Sequence, residues 1–314
     1  MRAASPLPAL ATLAGALIIA LAPILVRLSE LGPQASAFWR LALGALALGL
    51  VTTLRREPPP ERALWGPMLL AGLFFALDLA CWHAAIRLTT VANATLLANL
   101  TPVVVGLGAW IVLGERPGKI WSLAAAAGMA GAVLLGLSRT TGGAGAMLGD
   151  ALALATTLWY AGYLLLIRSV RQGAGVWWVM LVSSSAGAAV ALAVALAAGE
   201  PLWPGGLREW ALLAALGCIV HVCGQGAIAY GLGRLPAAVT SVLILVQPVA
   251  SAALGWLLFR EAVAPLGLFG AALVLVAAWG AQQRAAPAQT RSGVASAGAG
   301  WDAETPPGVS DRPR

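Results

Sequence analysis

The sequence predicts an all-α polytopic membrane protein with ten transmembrane helices in two inverted five-helix repeats. Three observations predict it. Of 314 residues, 60% are hydrophobic and only 10% charged, where a soluble domain carries about 25% charged residues. The apolar runs recur near the ~20 residues that cross a bilayer. One stretch is also used twice: residues 88–119 (LTTVANATLLANLTPVVVGLGAWIVLGERPGK) align without a gap on residues 234–265 (RLPAAVTSVLILVQPVASAALGWLLFREAVAP). That alignment sets Pro102 on Pro248, Trp110 on Trp256 and Glu115 on Glu261.

Taken in order, the spans are expected at 7–26, 35–54, 63–86, 91–113, 120–137, 147–167, 176–198, 210–232, 236–259 and 263–281. They must be helices, because unpaired backbone groups are not tolerated in hydrocarbon and runs this uniformly apolar lack the alternation of barrel strands. The first run is too long for the apolar core of a signal peptide and reads as an uncleaved helix. Short connectors with Gly, Pro or charge separate the rest. The glycine-rich break SRTTGGAGA at 138–146 divides the chain into a first repeat, 7–137, and a second, 147–282. Residues 283–314 are small, proline-rich and scattered with charge, and are expected to form a disordered tail.

Charge sets the orientation. The net charge of +7 does not point to nucleic acid, because the arginines sit singly in loops, where they set topology and meet lipid headgroups. With the N-terminus inside, 13 Lys and Arg residues fall inside, 5 outside and Arg40 within a span. Both termini are therefore expected in the cytoplasm of a bacterial inner membrane. Five spans per repeat is an odd number, so the second copy runs inverted, as in carriers whose substrate sits near the midplane. Cys81, Cys218 and Cys223 lie in apolar spans without CxxC spacing and read as packing residues.

Ten spans, two halves, and a duplicated small-residue helix with mid-helix proline and terminal acid (Pro102 with LGE at 113–115, Pro248 with FRE at 259–261) resemble the EamA family of the drug/metabolite transporter superfamily. FWR at 38–40 resembles that family's arginine early in the second helix. FRE departs from the usual LGE by losing the glycine. The resemblance implies secondary transport, usually export of amino acids or other small metabolites. The alternative, a membrane-embedded enzyme or lipid-handling protein, would need a catalytic cluster at the interface, which the two His residues and scattered acids do not make.

Polar residues within spans are the candidates for chemistry. Asp78 and Arg40 lie about 12 and 8 Å below the outer edge, at ~1.5 Å per residue. They suit either a structural pair between helices 2 and 3, or an Asp78 that binds a substrate ammonium or carries a proton. Trp82 lies one turn beyond Asp78 and offers an aromatic wall. Thr95, Asn99 and Pro102 share one helix face, with Thr101 beside them. Pro102 removes the backbone bond to Ala98, and Pro248 the bond to Ile244. Gln247 aligns with Thr101. Cys218, His221 and Gln225 recur at i, i+3 and i+7, which predicts one stripe on the eighth helix. Tyr160 and Tyr163 suit a cavity wall or an interfacial belt. Asp150 suits a helix N-terminus. Glu115 and Glu261 read as structural turn-closers neutralised by Arg116 and Arg260. The small-residue fifth and tenth helices suit close packing or a homodimer face. No phosphate-binding, Ser/His/Asp or zinc-ligand pattern is present in the sequence. The expected partners are a small-molecule solute, protons and the lipid bilayer, with no cofactor or metal.

Overall fold

The structure is a computed structural model and describes residues 5–88, 98, 100–116, 118–137, 147–259 and 265–282. The described elements are helical, with no strand among them. In chain order they are α1 (Leu7–Ile19), α2 (Ala22–Leu28), α3 (Pro33–Arg55), a 3₁₀ turn (Arg62–Leu64) leading into α4 (Trp65–Leu88), α5 (Thr101–Leu113) and α6 (Lys119–Leu137). The second half holds α7 (Met147–Val170), α8 (Val176–Ala197), α9 (Leu207–Ala214), a π-helix (Ala215–Gln225), α10 (Gly226–Leu232), α11 (Ala237–Ile244), α12 (Val246–Phe259) and α13 (Pro265–Gln282). Seven stretches are long and apolar enough to cross a membrane: Leu7–Leu28, Pro33–Arg55, Arg62–Trp82, Ala151–Val170, Val176–Ala197, Leu207–Leu232 and Ala237–Leu258. The other expected spans fall on shorter or partly described helices, so the described residues do not by themselves give the count of ten.

Prolines cut two spans where the chain needs a bend. Pro23 stands in the first turn of α2, and the first span breaks at Ala20 and Leu21. The freed Ala20 carbonyl accepts from Ser251 Oγ at 3.1 Å, so a residue of α12 fills the gap in the first span. Pro248 stands in the first turn of α12, and the ninth span breaks at Leu245. At Pro102 the chain satisfies itself: the Ala98 carbonyl is not left free for a ligand, because Thr101 Oγ1 donates to it at 2.7 Å.

The two halves pack in reciprocal pairs. The α3–α8 and α6–α13 contacts join helices at equivalent places in each repeat. The α4–α7 contact has its counterpart in α1 against the π-helix and α10, and α4–α8 has its counterpart in α3 against the π-helix. Small residues allow these crossings: a Cβ on Gly72 would lie 2.2 Å from the Ser183 carbonyl oxygen, and one on Gly131 2.4 Å from that of Gly270. Bare backbones in contact supply the dispersion that holds helices together where lipid removes the hydrophobic drive. Outward faces are aliphatic, as at Ile111, Leu123 and Leu258, which suits contact with hydrocarbon rather than water.

Glutamates fasten the helix ends. Glu200, just past α8, accepts from the backbone N–H groups of Gln34 and Ala35 at 2.9 Å each, in the first turn of α3. Glu57, just past α3, packs against Gly175 at the start of α8. Trp39 Nε1 donates to Leu202 O at 2.6 Å, and Trp178 Nε1 to Glu57 O at 3.0 Å. Helices α3 and α8 are thus tied at both ends, with carboxylates placed at helix N-termini where the dipole favours them. Glu209 is buried and accepts from Ser29 Oγ and from Glu30 N–H, which ties the end of α2 to the start of α9.

Candidate functional site

Several buried polar groups meet around Phe75, in the middle of α4. Its ring stacks on Tyr163 from α7 at 4.7 Å between centroids and on His221 from the π-helix at 5.6 Å. The Arg40 guanidinium from α3 lies 5.6 Å from the same ring, within cation–π range. Tyr160 stacks on Tyr163 at 6.0 Å, and Asp78 follows Phe75 by one helical turn. Both repeats therefore contribute: α3 and α4 from the first, α7, α8 and the π-helix from the second.

His221 is 1% exposed. Its ring lies against Gly44 on α3, where a Cβ would come within 2.7 Å of Cδ2. Ser184 Oγ from α8 is 2.7 Å from His221 Nε2 and donates its own proton to the Met180 carbonyl. With the Ser184 proton on the Met180 carbonyl, Nε2–H donates to Ser184 and Nδ1 is an acceptor; the other tautomer reverses both roles. Among the described residues that Nδ1 has no hydrogen-bond partner, and neither do Gln225 Nε2, Arg40 Nε, Thr156 Oγ1 and Glu57 Oε2, all buried. Native proteins rarely leave buried polar atoms unpaired unless a water, ion or ligand meets them.

Arg40 and Asp78 do not form the direct pair that a purely structural link would require. No ion pair within 4.0 Å joins them, and neither side chain hydrogen-bonds a described residue. Both residues are buried, at 7% and 8% exposed.

The eighth span differs from its predicted stripe. The π-helix widens the turn, so His221 and Gln225 face inward while Cys218 is exposed. Its two glycines press on neighbours: Gly217 meets α3 at Leu43 and Gly44, and Gly224 meets α1 at Ile18 and Ile19. Tyr163 is 1% exposed and belongs to the interior, not to an interfacial belt. Its hydroxyl reaches Met180 Sδ at 3.9 Å.

Other candidates stand elsewhere. Trp82 is half-buried on α4. Thr101 and Pro102 are buried at the start of α5, and Gln247 and Pro248 are half-buried at the start of α12. Among the described residues no hydrogen bond, ion pair or ring contact joins those four to the Phe75 group. Thr95, Asn99 and Glu261 lie outside the described residues, as do the side chains of His83 and Asp150. Phe75, Thr156 and Ser184 were not among the sequence candidates. Thr156 and Ser184 carried a signal, a hydroxyl within an apolar span, while Phe75 carried none.

Glu115 stands just past the end of α5, and its partner is not Arg116. Gly114 takes φ 68°, a left-handed conformation that turns the chain back, so Glu115 N–H donates to Ala109 O at 3.0 Å. The carboxylate pairs with Arg168 at the end of α7 rather than with its neighbour Arg116. Arg168 Nε donates to Oε1 at 2.8 Å, and Ala237 N–H, in the first turn of α11, donates to Oε2 at 2.9 Å. Arg168 also donates to Leu232 O.

An apolar helical bundle of two repeats, with charged and polar groups at its centre, defines a multi-pass membrane transporter. The EamA-like transporter family matches residues 7–137 and 147–281, and the chain belongs to that family. The chain is 29% identical over 244 residues to the pseudopaline exporter CntI of Pseudomonas aeruginosa strain UCBPP-PA14, covering 76% of this chain and 82% of that one. It is 27% identical over 238 residues to an uncharacterized transporter of Archaeoglobus fulgidus, with the same coverage of 76% and 82%. A crystal structure 22% identical in sequence superimposes with a TM-score of 0.76, covering 88% of this chain and 97% of that one. That last likeness concerns the fold.

Proposed function

We propose that this protein is a secondary carrier that exports a small polar metabolite, such as an amino acid, by alternating access. Its ten spans form two inverted halves with both termini in the cytoplasm, and the solute binds between the halves. One observation carries the reading: Arg40 and His221, each with a buried nitrogen unpaired among the described residues, meet across the Phe75 ring, with α3 and α4 from one repeat and the π-helix from the other. A structural core would pair or omit them. The reciprocal helix packing supports two equivalent halves able to exchange roles. The relative named as an exporter supports outward movement.

The test is a comparison of small metabolites in the medium of cells that produce the protein and cells that do not. A carrier of this kind enriches one solute or a related group outside the producing cells. Identical media, with the protein present in the membrane, would remove the export reading.

A further inference from the structure

We propose that Arg40 selects a solute bearing a carboxylate, which its guanidinium holds over the Phe75 ring; this rests on the carrier reading above. From the sequence Arg40 looked structural, a partner for Asp78. The geometry points elsewhere. The guanidinium is 7% exposed, makes no hydrogen bond or ion pair to a described residue, and has its Nε sealed without an acceptor. A guanidinium stays charged at any physiological pH and presents five donors with no acceptor. A buried cation without an acceptor is costly, so its natural complement is a planar oxyanion that takes two donors at once.

The neighbouring groups fit the same solute. The Arg40 guanidinium carbon lies 5.6 Å from the Phe75 ring centroid, within cation–π range. Gln225 faces the Tyr160 and Tyr163 hydroxyls and makes no well-formed hydrogen bond through Nε2 among the described residues, and Thr156 stands one helical turn before Tyr160 on α7. Asp78 is the only acid among the groups described around Phe75, and it does not bond Arg40 directly. A carboxylate settling on Arg40 then leaves Asp78 to be balanced by a cationic group of the same solute or by a proton. The tyrosine pair and His221 supply walls and one acceptor, and neither attracts an anion as Arg40 does.

The experiment uses the full chain, purified in detergent and reconstituted in liposomes. The probes are matched acids and primary amides: phenylpropanoate with phenylpropanamide, lactate with lactamide, leucine with leucinamide, and phenylalanine with phenylalaninamide. Binding is read as thermal stabilisation and transport as competition in counterflow. At least one acid should act at roughly tenfold lower concentration than its amide, the scale of a charge-assisted hydrogen bond. In Arg40→Gln that ratio should fall to about one, while Arg40→Lys, which keeps charge without the fork, should retain part of it. If Arg40 serves only to offset Asp78, the neutral pair Arg40→Gln/Asp78→Asn should recover the acid preference. The proposal expects no recovery.

Amides acting as well as acids in every pair would overturn the Arg40 assignment and leave the carrier reading standing. So would an acid preference that survives both Arg40 variants. If no compound of any class binds or crosses, the carrier reading fails with it.

Discussion

Glu115 offers the sharpest test of how the repeats hold each other. Its carboxylate joins the end of α5 to the end of α7 through Arg168 and to the start of α11 through Ala237 N–H. The two charged side chains are only 15% and 16% exposed, so screening by water is modest. Replacing Glu115 with Ala leaves Arg168 with only Leu232 O and leaves the Ala237 N–H without its acceptor. Breaking one partner of a largely buried pair costs about 3 kcal/mol, near the low end of the usual range. Glu115→Gln keeps an acceptor for Ala237 and should lose about half of that, since a neutral hydrogen bond is worth less than a charged one. The assay is reversible unfolding in mixed micelles for Glu115→Gln, Arg168→Gln and the double variant. A direct pair requires the double variant to lose less than the sum of the singles, with a coupling of about 1–3 kcal/mol. Additive losses, within a few tenths of a kcal/mol, would refute the pairing and return Glu115 to a simple helix terminator.

Ser184→Ala removes the only partner of His221 Nε2, and should lower unfolding stability by about 1–3 kcal/mol, whereas Ser185→Ala, at an exposed position, should stay within about 0.5 kcal/mol. Gly72→Leu drives a side chain into the Ser183 carbonyl, where even a Cβ would sit at 2.2 Å; the yield of monodisperse protein on size exclusion should collapse, with a cost of at least about 2 kcal/mol. Asp78→Asn keeps the shape and removes the central negative charge, so solute flux in liposomes should fall by about tenfold or more while melting changes little. Equal flux in wild type and Asp78→Asn would take Asp78 out of the transport path.

The spans were legible because hydrocarbon admits only helices, and runs such as Val176–Ala197 are apolar throughout. The duplication was legible because Pro102 and Pro248 align without a gap. The first span was read unbroken as 7–26, whereas Pro23 accompanies a break at Ala20, and what fills that break, Ser251, belongs to a contact 231 residues away. The same distance hides the partners of acids. Glu115 sits beside Arg116 in sequence and pairs with Arg168 in space. Glu57 and Glu200 read as loop charges, yet each meets the start of the other's helix. The stripe on the eighth span failed for a local reason: an α-helical period was applied where glycine contacts with α1 and α3 accompany a π-helix. His221 and Gln225 were readable as polar residues in lipid, but that His221 Nδ1 and Gln225 Nε2 are unpaired among the described residues appears only when α3, α4, α7 and α8 are assembled around them.

Counterflow in sealed liposomes tests the carrier reading most directly. Vesicles loaded with an unlabelled metabolite panel are exposed to trace amounts of each labelled member. An alternating-access carrier must take up label transiently above equilibrium, saturably, and only when the same solute waits on the other side. That result is predicted for at least one small polar solute, and it should vanish in Arg40→Gln for a carboxylate. Flux that rises linearly with concentration and ignores solute on the far side would mark a pore. No flux of any solute, from vesicles that hold folded protein, would contradict the carrier altogether.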